Sequence, residues 1–107
     1  MDSPVPNEFL EAAAARFRLL GDPVRLRILN TLLGRGEATV QELAEATEQS
    51  HQNTSKHLRA LAAGEIVACR REGAFAHYHV TDPSVPGLCL LVCGQLQRGD
   101  STRVEAN

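Results

Sequence analysis

At 107 residues, with 43% hydrophobic and 22% charged residues, the chain has the size and composition of one soluble globular domain, and no stretch approaches the roughly 18 to 20 apolar residues of a membrane span. A net charge of -2 argues against nucleic-acid binding by bulk electrostatics but leaves room for a local basic patch, because acids crowd into Glu37 to Glu48 while Lys56, Arg59, Arg70 and Arg71 fall beyond them. Three cysteines, an odd number with no apolar signal ahead of them, argue against a secreted disulfide framework and point to a reduced, cytoplasmic setting.

Pro4 and Pro6 mark residues 1–7 as a loose tail. From Asn7 onward, Phe9, Leu10, Ala13, Ala14, Phe17 and Leu20 follow a helical stripe that Gly21 ends. This stripe is wider than a lone surface helix needs, and without tryptophan a small aliphatic core is marginal, so a dimer contact is expected here. Asp22 and Pro23 then cap a second helix through Val24, Leu26, Ile28, Leu29, Leu32 and Leu33, stopped by Gly34 and Gly36. Thr39 and Glu42 have capping-box spacing and open a short third helix carrying Leu43 and Ala44, which ends near Thr47.

Ser50 to Gly64 opens with a capping residue type and closes with a glycine. Thr54, Leu58 and Leu61 share one buried stripe. His51, Gln52, Ser55, Lys56 and Arg59 fall mostly elsewhere, and the segment contains no acid. An apolar back with a front of amide, hydroxyl, imidazole and cationic groups is what major-groove readout requires, since amides pair with adenine and cations with guanine or phosphate. The plainer reading of this helix alone is an amphipathic helix with a solvated face. Joined so tightly to the preceding helix, it forms a helix-turn-helix with the second helix as reader.

Ile66 to Arg71 is β-prone, Glu72-Gly73 supplies a turn, and Phe75 to Val80 returns, which reads as a two-stranded hairpin with two arginines near its tip. Asp82 and Pro83 cap a last helix through Val85, Leu88, Cys89, Val92, Cys93 and Leu96, with Pro86 and Gly87 pushing its true start later. The pattern stops at Gln97, so the folded domain is expected over 8–97 and a loose tail over 98–107. The expected fold is mainly α with a small β-hairpin: a winged helix-turn-helix of about five helices and a two-stranded wing.

Three stretches together, LGDPVRLRIL at residues 20–29, SHQNTSKHLRAL at 50–61 and the wing ACRREGAFAHYHV at 68–80, make the chain resemble the ArsR/SmtB family of small winged-helix repressors. The resemblance implies a homodimer joined by its first and last helices, with two reading helices in successive major grooves of a palindromic operator in double-stranded DNA. It places Ser50, His51, Gln52, Asn53, Ser55 and Lys56 toward DNA, Arg59 near the backbone, and Arg70 and Arg71 on the wing. Leu10, Ala14, Phe17, Leu88, Val92 and Leu96 would form the dimer contact, and His57 would have a packing or phosphate role. Effector-dependent release of DNA is also implied.

Two effector sites common in the family are missing. Thr39, Val40, Gln41, Glu42 and Leu43 stand where many arsenic and cadmium sensors have C-V-C-D-L. Asp82 is kept from the site that many zinc sensors use, but Ser84, Gln95 and Arg98 replace its partners. The fold itself needs no cofactor, so any metal would be an effector. Cys89 and Cys93, one helical turn apart, share a face and offer two soft donors to a thiophilic ion, with Cys69 or a second subunit completing the set. The plainer reading is buried packing with Leu88, Val92 and Leu96 on the same face; a redox signal is the further alternative, for which a disulfide within one helix would be strained and a thiol would have to meet its symmetry mate. His77 and His79 alternate along a strand and offer two imidazoles to nickel, zinc or copper, with Asp82 or a dimer-related group as a further ligand; the alternative is two polar residues on a solvated face. No spacing puts a nucleophile beside a base, so an enzyme is not expected. The competing reading is a protein-interaction module that needs an accessory protein to bind DNA.

Overall fold

A computed structural model of the protein describes residues 4–106, with side chains as far as residue 99. Its elements run α1 (Asn7–Leu20), α2 (Pro23–Arg35), β1 (Ala38–Thr39), α3 (Val40–Thr47), α4 (His51–Ala63), β2 (Val67–Glu72), β3 (Phe75–Val80) and α5 (Ser84–Ala106). This is a winged helix-turn-helix, as the sequence pattern predicts. No helix among the described residues is long and apolar enough to cross a membrane.

Local chemistry sets most of the boundaries. Asp22 Oδ1 accepts from the backbone N–H groups of Val24 and Arg25 at 2.8 and 3.1 Å, and Pro23 occupies the first turn, where its missing N–H costs nothing. Thr39 and Glu42 close a reciprocal capping box at the start of α3, at 3.2 and 2.8 Å. At the end of α2 the chain runs through Gly34 to Arg35 before Gly36 stops it at φ +90°. A glycine inside a helix costs about 1 kcal/mol relative to alanine, which the fully buried Ile28, Leu29 and Leu32 of the same helix outweigh. It is therefore Gly36 alone that ends α2.

The sheet holds three antiparallel strands in the order β1-β3-β2, one more than the expected hairpin. Val67 pairs with Val80 and Glu72 with Phe75, leaving Gly73 and Ala74 as the turn, with Gly73 at φ +61°. On the other edge of β3, Ala38 pairs with Tyr78 and Thr39 with His77. A two-residue strand has no alternation for sequence reading to detect.

Leu20, the buried α2 residues, Leu43, Leu58, Leu61, Ile66, Val67 and Val85 form one core between the helix-turn-helix and the base of the wing. The last helix begins at Ser84, not later as Pro86 and Gly87 suggest, because the Ser84 N–H and hydroxyl both donate to Asp82 Oδ1 at 2.9 and 2.7 Å and Pro86 is tolerated in the first turn. It continues to Ala106, past the point where a tail over 98–107 is expected. Extending a helix already nucleated is far easier than starting one, so loss of the core pattern at Gln97 does not end it.

Candidate nucleic-acid interface

The turn between α3 and α4 is set by backbone geometry. Glu48 takes the left-handed conformation at φ 55° and ends α3, and Gln49 N–H reaches back to Ala44 O at 3.0 Å. Ser50 then caps α4, accepting from Asn53 N–H at 3.0 Å, while Thr54 Oγ1 donates to Ser50 O at 2.8 Å. Thr54, Leu58 and Leu61 are fully buried, so the back of α4 is fixed in the core. Its front presents Ser50, Gln52, Asn53, Lys56 and Arg59 around one shallow groove of about 350 Å³. His51 is exposed at the first turn, and Ser55 is half-buried at the margin. The first turn carries no acid, so the positive end of the helix dipole is not neutralised by an acid within it. Asn53 is partly committed, since its amide donates to Gln49 Oε1 at 2.7 Å; this fixes the side chain and leaves its oxygen free of that bond.

The wing arginines differ from each other. Arg70 is clamped between Glu37 Oε1 and Glu72 Oε2, both at 2.6 Å, with a longer contact from its Nε to Glu37 Oε2. Arg70 holds both carboxyls below their usual range, and they hold its guanidinium firmly charged. One cation shared by two carboxylates adds no positive field to the wing. Arg71, its neighbour on the strand and therefore on the opposite face, is exposed and has no ion pair among the described residues. Sequence reading treats the two alike, because Glu37 is remote along the chain. Phe75, at the start of β3 beside the turn, is 62% exposed, which the mixed pattern of this strand did not single out.

His77 and His79 are half-buried on β3, and His77 Nδ1 lies 3.8 Å from Glu37 Oε1. Asp82, offered above as their companion, is buried and engaged elsewhere: besides Ser84, its Oδ2 lies 3.1 Å from Arg16 Nε of α1, an ion pair without good hydrogen-bond geometry. Burial pushes the Asp82 carboxyl up, but the bonds from Ser84 and the Arg16 charge outweigh it and leave it below its ordinary value. Among the described residues no three His, Cys, Asp or Glu side chains come together as a metal site. Cys69 is exposed on β2 opposite Tyr78 and joins no such group with the other two thiols.

Cys89 and Cys93 do share a face, on a groove of about 680 Å³ between α2 and α5 that Leu26, Asn30, Leu33 and Leu90 also line. Burial, and then the nearby Cys93, push the Cys89 thiol up. The flank formed by α1 and α5 is largely apolar. Phe9, Leu10 and Phe17 on α1 and Leu90, Leu91, Val92 and Leu96 on α5 are all exposed, as is Ala14. Leu88, expected on this face, is half-buried against the chain's own core instead. Leu91, at 72% exposure, stands on the open side, where the stripe through 85, 88, 92 and 96 did not place it.

Comparison with known proteins agrees with this geometry. Residues 20–70 match a family described as a helix-turn-helix domain. A probable mercury resistance operon repressor of Streptomyces lividans is 39% identical over 87 residues, covering 81% of this chain and 69% of that protein. The homodimeric winged helix-turn-helix DNA-binding domain of a possible ArsR-family regulator from Mycobacterium bovis superposes with a TM-score of 0.75 at 31% identity, covering 91% and 89% of the two chains. The AntR antimony-specific transcriptional repressor gives a TM-score of 0.82 at 29% identity, covering 94% and 90%. These relatives are transcription regulators, not enzymes. The chain belongs to the ArsR/SmtB family of winged helix-turn-helix transcriptional repressors.

Proposed function

We propose that the chain acts as a homodimer that sets its two α4 helices into successive major grooves of a palindromic operator, and that a thiophilic effector at Cys89 and Cys93 alters that hold. Its main support is the division of α4, with a back locked in the core and a front of amides, hydroxyls and two cations around one groove. Gln52 and Asn53 read base edges, with Ser50, His51 and Ser55 beside them, while Lys56, Arg59 and Arg71 meet phosphates. Arg70 serves differently, as the strut that ties the wing to Glu37. The second copy covers the apolar flank of α1 and α5, in line with the homodimeric relative.

For the effector, two thiols facing one groove suit a soft ion better than the imidazoles of β3 do, and the relatives named for mercury and antimony point the same way. Since the Cys89 thiol is pushed up, an ion must displace its proton, and binding tightens as pH rises through neutrality.

A shift assay with the palindrome nearest the protein's own promoter, run against random DNA across a salt series, tests the first half. Affinity for the palindrome falling steeply with salt is expected. Equal affinity for random DNA overturns the reading, and affinity that appears only with an added polypeptide favours the interaction-module alternative. Titration of the dimer with mercury(II), antimonite, arsenite, zinc and nickel, with and without Cys89→Ser, tests the second. Flat titrations remove the effector site and leave the DNA reading standing.

A further inference from the structure

Beside the groove of α4, one residue joins three elements. Arg25, in the first turn of α2, donates from Nε to His57 Nδ1 in the middle of α4 at 3.1 Å and from a terminal nitrogen to Leu19 O at 3.2 Å. Its own N–H is fixed by Asp22 Oδ1. Leu19 O belongs to the last turn of α1, where carbonyls lack partners within the helix, so the guanidinium also closes that helix end. Arg25 and His57 are both half-buried, and neither lines the groove at the front of α4.

A second contact meets the same turn of α1. At the end of α4, Gly64 packs against the side chain of Leu19: a Cβ there would fall on Leu19 Cδ1, the tip of a side chain that would have to shift. Leu19 therefore touches α4 through its side chain at residue 64 and, through Arg25, at residue 57. Seven residues separate these points, about 10 Å along the helix axis. Two contacts that far apart fix the tilt of α4 against α1 as well as its distance. Since α1 also carries the exposed Phe9, Leu10 and Phe17, the junction connects the reading helix to the flank that a second copy covers.

We propose that Arg25 is a positioning residue for operator recognition, with His57 as its acceptor: it locks the angle between α4 and α1 and so sets how the two reading helices of a dimer are spaced. The proposal rests on the operator-binding reading above but has a readout independent of DNA. The Arg25 guanidinium is spent on His57 Nδ1 and Leu19 O, so its loss is expected to change affinity without changing the number of counterions released. An unrestrained α4 pays an ordering cost when it binds the second half-site.

The test uses the full-length dimer and the variants Arg25→Ala, His57→Ala and His57→Asn. Asn carries an acceptor oxygen near the place of Nδ1 and keeps the bond. Arg25→Ala and His57→Ala are expected to bind the palindrome about tenfold more weakly, the scale of one hydrogen bond to a charged group, with unchanged dimerisation and an unchanged salt slope, while His57→Asn stays within about threefold of the parent. Amide exchange in α4 of the free protein should quicken in the two Ala variants and not in His57→Asn. Palindrome binding by Arg25→Ala within twofold of the parent overturns the proposal. So does a salt slope lowered by about one, which would make Arg25 a direct phosphate contact. Should the parent prefer no operator, the repressor reading fails, and the exchange rates alone decide the junction: unchanged α4 exchange in both Ala variants rejects it. If Arg25→Ala does not fold, the two His57 variants carry the same comparison.

Discussion

The segment from α2 to the base of the wing and the flank formed by α1 and α5 have similar apolar stripes but opposite fates. In the first, Ile28, Leu32, Leu43, Leu58 and Leu61 lie at 0 to 1% exposure, and the helix starts are capped by Asp22, Thr39 and Ser50. In the second, α1 starts at Pro6 with no side-chain cap, and Phe9, Phe17 and Leu91 are at 58 to 72% exposure. Period alone tells which residues share a face. It does not tell whether this chain supplies what covers that face, and the contrast separates a region whose core one chain completes from a region whose apolar side chains it leaves exposed.

The contrast breaks first where the core is complete. Leu61→Ala removes a fully buried side chain, and a loss of about 2–5 kcal/mol of stability is expected by urea denaturation, a large part of the roughly 5–15 kcal/mol margin of a small domain. On the open flank the same kind of residue should matter for association. Leu91→Glu is expected to leave the helix content and the monomer fold intact while weakening the dimer by at least about 100-fold, read by sedimentation equilibrium; this is the scale of exposing two leucines again, one from each copy. An unchanged association constant would show that a second copy covers a different surface.

Between the two regions lies the Arg16–Asp82 pair, which ties α1 to the start of α5. Arg16 is about half exposed, so Arg16→Ala is expected to cost only about 1 kcal/mol at neutral pH despite the burial of Asp82. The pH dependence identifies the cause. The Asp82 carboxyl is held below its usual 3.8 in the fold, so the unfolded chain takes up the proton first as pH drops. The pair therefore stabilises fully well above that value and is lost as pH falls below it. The stability gap between parent and variant should be level near neutrality and close in acid, and a gap that persists in acid would assign Arg16 a packing role.

What could be read from the sequence follows the reach of each interaction. The caps at Asp22, Thr39 and Ser50 act over two or three residues, and the buried stripe of α4 lies within one helix, so the helix-turn-helix and the polar front from Ser50 to Arg59 were legible. The bonds that organise the rest span the fold. Arg25 meets His57 across 32 residues and Arg70 meets Glu37 across 33, and nothing local marks either pair. The same limit hid β1, which exists only because β3 offers it an open edge, and it hid the turning of Leu88 inward while Leu91 faces out.

The smallest expected effect bears on the wing, where two adjacent arginines look equivalent in sequence. If Arg70 is a strut and Arg71 a phosphate contact, deleting charge from each must give different salt behaviour. Arg71→Gln should weaken operator binding and reduce the salt slope by about one, since each phosphate neutralised releases about 0.9 counterions. Arg70→Gln alone would leave Glu37 and Glu72 uncompensated beside the DNA and confound contact with repulsion. The double variant Glu37→Gln/Arg70→Gln removes one charge of each sign, so the net charge of the wing is kept and Glu72 alone is left without its cation. It should keep the parent's slope and bind the palindrome within about twofold, because the net charge of the wing is unchanged. A slope reduced by one in the double variant would mean that Arg70 leaves its carboxylates for a phosphate in the complex, and the two arginines would then share one role.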